Sequence, residues 1–102
     1  MADWLNPPQI LEIDLKGWDG AAQGLIRMRV QDDVKVVKVS VEISDETGAA
    51  LESGLAVKAG ALWWEYRVSQ PLSGALRVTV SASDLPGHVT QESEEKLVVG
   101  AP

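Results

Sequence analysis

Asp32, Asp33 and Asp84 are the side chains best suited to hold a metal in this sequence, and Trp18 and Trp63 those best suited to hold a ligand or a partner. Turn carboxylates are hard oxygen donors, and calcium asks for about six to eight such oxygens. The aspartates lack D-x-D-x-D spacing, so the competing role for each is to satisfy the amides of its own turn. Indoles stack on sugar rings and anchor protein interfaces. Four tryptophans in a chain without phenylalanine make them prominent here. The single histidine, His88, has no serine, cysteine or second histidine recognisably paired with it. No nucleophile or metal motif accompanies it, so no catalytic residue is assigned and an enzyme is not expected.

The elements that must position these residues are strands. Val37, Val39, Val41 and Ile43 alternate with Lys38, Ser40 and Glu42, and Leu76, Val78, Val80 and Ala82 repeat the pattern. Period-two alternation marks a strand buried on one face. The same rule predicts strands at Ile10 to Leu15, with Leu11, Ile13 and Leu15 inward, and at Leu25 to Gln31, with Ile26, Met28 and Val30 inward. Lys35 to Ser44 is the strongest, and it ends in a tight Ser44 to Gly48 turn in which Asp45 caps its own backbone and Gly48 accepts positive φ. A short strand at Leu55 to Lys58, one at Leu62 to Ser69 with Leu62, Trp64, Tyr66 and Val68 inward, one at Ala75 to Ser83 and one at Val89 to Val99 complete seven. No stretch shows the three-and-four spacing of a helix. Seven short strands in a chain of 102 residues predict an all-β, two-sheet antiparallel sandwich. Residues 1 to 8, with Pro7 and Pro8, read as an extended lead-in, 9 to 99 as one domain and 100 to 102 as a tail.

Bulk properties exclude several partners. A hydrophobic fraction of 45% with 24% charged residues is globular rather than disordered composition. A net charge of −6 disfavours nucleic acid and anionic membrane surfaces. No apolar run approaches the roughly 20 residues of a membrane span. Without cysteine there is neither disulfide nor thiolate site, and no cofactor is implied beyond the calcium considered above. The N-terminus lacks the basic and apolar regions of a secretory signal, which suits a cytoplasmic protein or a domain from a longer exported one. A monomer is expected.

DDVKVVKVSVEI, a central WWEY and GALRVTVSASDLPGH occur in that order. With these features the chain resembles bacterial immunoglobulin-like and fibronectin type III-like modules. The resemblance implies a seven-stranded antiparallel immunoglobulin-like β-sandwich with a binding or spacer role. Ala82, Asp84 and Gly87 fit the family's A-x-D-x-x-G-N-like corner, with His88 in place of the usual asparagine. Leu76 stands where fibronectin-type domains often carry a corner tyrosine, and the cysteine pair of antibody domains is missing. That topology would bring Asp32 and Asp33 to the same end as Asp84, where a calcium ion could sit. Strand alternation turns Trp63 outward, and composition places Trp18 in a glycine-rich loop. Either could serve a carbohydrate. Alternatively, Arg67 covers Trp63 and Trp18 folds over the open end of the core. Glu92, Glu94 and Glu95 read as a solvated edge that discourages pairing with another molecule. The leading expectation is a noncatalytic module that meets a protein partner or neighbouring domains, and the alternative is a carbohydrate-binding module.

Overall fold

The computed structural model describes residues 9 to 18, 23 to 31, 36 to 84 and 89 to 98. Eight strands run through them: β1 Gln9–Asp14, β2 Leu25–Gln31, β3 Val36–Ser44, β4 Ala50–Leu55, β5 Val57–Lys58, β6 Trp63–Arg67, β7 Gly74–Asp84 and β8 Val89–Val98. They form two antiparallel four-stranded sheets, ordered β1-β2-β6-β5 and β4-β3-β7-β8. This is the immunoglobulin-like β-sandwich, with the first, second and sixth strands in one layer and the third, seventh and eighth in the other. No helix among the described residues is long and apolar enough to cross a membrane.

The inner faces come from the alternating positions. Ile26, Met28 and Val30 of β2 face Val39, Val41 and Ile43 of β3 and Leu76, Val78, Val80 and Ala82 of β7 across one buried cluster. Each such aliphatic side chain contributes about 1.5–3 kcal/mol by leaving water. Trp64 and Tyr66 of β6, with Val68 just after it, add to the same cluster.

Three local expectations change. In β1 the register slips between Ile10 and Glu12. The bulge spends one residue without reversing the face, so Ile10 and Ile13 pack inward while Leu11 is exposed. Leu62 precedes β6 and is exposed, although its carbonyl accepts from the Val30 amide at 2.9 Å. The expected fourth strand is two strands in different sheets. β4 pairs with β3, the Ala56 amide donates to the Val39 carbonyl at 2.8 Å, and β5 then pairs with β6. The chain thus changes layer within one residue, which makes eight strands from seven.

The turn after β3 forms as its residues dictate. The Asp45 carboxylate accepts from the Thr47 amide at 2.9 Å, the Thr47 hydroxyl at 2.6 Å and the Ala49 amide at 3.0 Å. Gly48 takes the positive φ of 90° that closes it. The Thr47 hydroxyl, joined by the amides of Ala49, Thr47 and Gly48, outweighs the opposing effect of burial and holds Asp45 below the usual carboxylate range.

Candidate functional site

Trp18 is wholly buried, which removes it as a stacking platform and makes it part of the core. Its amide donates to the Leu15 carbonyl at 3.1 Å, and next to it the Gly17 carbonyl accepts from Leu25 at 3.1 Å. A Cβ on Gly17 would lie 3.1 Å from the Leu25 carbonyl oxygen. Glycine therefore lets the loop lie against β2 and turn the indole inward. Trp18 Nε1 has no hydrogen-bond partner among the described residues.

Trp63 does face outward, on the other side of the same sheet, and it is half-buried. Its cover is supplied by Arg27 and Arg29, whose guanidinium carbons lie 4.6 Å and 5.9 Å from the indole centroid. Arg29 is directly across the ladder from Trp63, and Arg27 is one step along the same face. Arg67, the residue expected over the ring, instead donates to the Gln23 carbonyl at 3.3 Å. Glu65 meets Arg27 at 3.4 Å and Glu12 meets Arg29 at 3.9 Å. The outer face of this sheet is thus a cross-strand lattice of alternating charge around one indole. Each cation–π contact contributes about 0.5–1 kcal/mol at such exposure, which a sugar ring would have to displace.

Asp32, Asp33 and His88 lie outside the described residues. Asp84 closes β7 opposite Val36, and its side chain is likewise outside them. The proposed calcium cluster is therefore placed at one of its three positions only, by backbone. Among the described residues no group of three histidine, cysteine or acidic side chains could hold a metal ion.

A different polar cluster emerges at β4, in a segment whose pattern did not disclose it. Glu52 points inward and is buried, accepting from the Tyr66 hydroxyl at 2.5 Å and from the Ser69 amide at 2.8 Å. Its second oxygen, Oε1, has no hydrogen-bond partner among the described residues. Tyr66 lies over Gly54, where an added Cβ would stand 2.8 Å from Tyr66 Cε1. Burial by itself would raise the Glu52 carboxyl, but the Tyr66 and Ser69 hydrogen bonds outweigh it and hold the group below the usual carboxylate range. Burial, then the hydrogen bond and charge of Glu52, pushes Tyr66 up to about 12. The pair is a clamp between the two sheets, joining β4 of one to β6 of the other. The signal for it in the sequence is the single tyrosine together with Glu52 and Gly54 at alternate positions.

Two open surfaces remain on the outer side of the second sheet. One, of about 350 Å³, is a shallow hydroxyl-rich groove over Ser40, Ser53, Thr79 and Ser81. The other, of about 580 Å³, lies between the Asp45 to Gly48 turn and the paired ends of β7 and β8, with Arg77, Glu95 and Leu97 in its lining.

Known structures share this architecture. CopC from Methylosinus trichosporium OB3b superposes with a TM-score of 0.61 at 21% identity, covering 86% of this chain and 89% of that one. The likeness is one of fold. An engineered protein solved at 1.98 Å superposes with a TM-score of 0.62 at 24% identity over 92% of this chain, which spans 20% of that longer chain. No protein-family model and no curated protein sequence matches.

Proposed function

We propose that this chain is a noncatalytic immunoglobulin-like interaction or spacer module that works without a cofactor. We further infer a fibronectin type III-like variety, because the strand after β3 stays in the sheet of β3 and only the two-residue β5 joins the other layer. One observation carries the reading. The described side chains with most capacity for chemistry are engaged in the scaffold: Trp18 in the core, Trp63 beneath two guanidinium groups and Glu52 locked by Tyr66 and Ser69. What stays available is surface, on a frame braced from both layers. The net charge of −6 favours a protein partner or an adjoining domain over nucleic acid or an anionic membrane.

The test is a titration with a broad glycan panel followed by tryptophan fluorescence, alongside a calcium titration followed by thermal melting and amide shifts. No saturable change is expected in either. A saturable fluorescence change that Trp63→Ala abolishes would replace the module with a sugar binder. Calcium-dependent stabilisation lost in Asp32→Asn or Asp84→Asn would restore the metal site.

A further inference from the structure

We propose that the cleft between the Asp45 to Gly48 turn and the ends of β7 and β8 is a docking site for a basic, aliphatic extended segment of a partner protein. The inference rests on the interaction-module reading and adds the place and chemistry of the contact.

Three observations converge there. The first is shape, since the cleft has a volume of about 580 Å³. The turn that forms one wall is held in place by the three hydrogen bonds into Asp45. A partner would therefore meet a preformed surface and incur little ordering cost. The second is an apolar contact. Leu97 is 74% exposed, the most open of the large hydrophobic side chains described, and it stands directly across the ladder from Ala75. An aliphatic side chain laid on Leu97 and Ala75 would remove this apolar surface from water.

The third is charge. Two residues back along the same face, Arg77 and Glu95 face each other, with Nη2 and Oε2 2.9 Å apart. Glu46 adds a second exposed carboxylate to the lining. Lys96 also borders the cleft, but its ammonium is held at the Leu15 carbonyl at 3.1 Å. The Asp45 carboxylate is occupied by its own turn. Among the described lining residues the Arg77 guanidinium, already paired with Glu95, is set against Glu46 as well, so the cleft carries an acidic excess and suits a cation. Exposed ion pairs are worth about 0.2–1 kcal/mol, so Glu95 can share its carboxylate at small cost.

Spacing selects the form of the ligand. Positions 95 and 97 lie two residues apart on one strand face, about 7 Å, which is also the distance between side chains i and i+2 of an extended peptide. A leucine at i and a lysine or arginine at i+2 would meet Leu97 and Glu95 together.

The experiment is a titration of the isotope-labelled chain with a capped peptide alternating lysine, serine and leucine so that leucine and lysine fall two apart. Its partner probe carries glutamate in place of lysine. Saturable amide shifts are expected at Thr47, Arg77 and Leu97, with weaker or no shifts from the acidic peptide. Leu97→Ser and Glu95→Lys should each weaken binding by about tenfold, and Glu94→Lys, on the opposite face of the same strand, should not. Absence of saturation at millimolar peptide, equal response to the acidic peptide, or unchanged affinity in Leu97→Ser would each overturn the site. Any of these would leave the module reading standing, because that reading is decided by the glycan and calcium titrations.

Discussion

Glu52 and Glu94 occupy the two ends of one row of the β4-β3-β7-β8 sheet, and their fates are opposite. Glu52 is opposite Ile43, Ile43 opposite Val78, and Val78 opposite Glu94, so all four side chains project toward the same inner face. At the β4 end the other sheet comes across: Tyr66 and Ser69 hydrogen-bond the carboxylate and bury it. At the β8 end the layers do not close over the row, and Glu94 remains in water beside Glu92 and a Lys96 that reaches the Leu15 carbonyl. The same residue type on the same face becomes a structural fastening at one edge and a guard at the other. An inward-pointing charge on an edge strand discourages addition of a further strand. What decides is coverage from the opposite layer, which is a property of the sandwich and not of either strand.

The comparison can be broken most directly by substitution. Glu52→Ala strands the Tyr66 hydroxyl and the Ser69 amide in the interior and should cost about 1–3 kcal/mol. In a domain of this size each kcal/mol lowers the melting temperature by about 4–8 °C. Glu94→Ala should stay within about 0.5 kcal/mol. Equal melting temperatures for the two variants would dissolve the distinction. Gly54→Ala tests the covering ring itself, since the new methyl meets Tyr66 at 2.8 Å, and overpacking of this kind costs about 1–3 kcal/mol.

Acid sharpens the contrast. The Glu52 carboxyl, like that of Asp45, is lowered in the folded chain, so its stabilisation is present above the unfolded pKa of about 4.3 and is lost as pH falls through the folded value. Melting followed from pH 6 to about pH 2 should show a shallower decline in Glu52→Gln than in the parent. At the alkaline end the sign reverses, because Tyr66 is raised. Its contribution is complete below about pH 10 and disappears as pH rises toward 12, a loss absent from Tyr66→Phe. A smaller effect is expected at the guarded edge. Glu94→Val should leave stability nearly unchanged but increase self-association in sedimentation velocity. Least of all, Arg77→Ala should cost about 0.2–1 kcal/mol, the worth of an exposed pair, read from urea melts.

The sandwich was legible wherever alternation ran unbroken. Ile26, Met28 and Val30, and Leu76, Val78, Val80 and Ala82, lie inward as their spacing predicts, because half-buried strands present every second residue to the core. Leu11 departs from its alternation because a bulge adds one residue to the count. The fourth strand was obscure for a different reason. The inward positions of β4 are Glu52 and Gly54, a charged residue and one without a side chain, since the space they leave is filled by Tyr66 from the other sheet. Alternation gives the face of Trp63 but not its cover, which comes from β2 across the ladder. Nothing local distinguishes Trp18 in a glycine-rich loop from an exposed indole, because its burial is set by where that loop lands on the finished core.

The passage from β4 to β5 ties the fold together in a further way. One residue after Leu55 pairs with Ser40 in one layer, the Ala56 amide still grips Val39, and Val57 is already paired with Glu65 in the other. Such a crossing acts as a rivet against shear: sliding one layer over the other would have to tear hydrogen bonds from both at once. Under load, the block should transmit force instead of creeping.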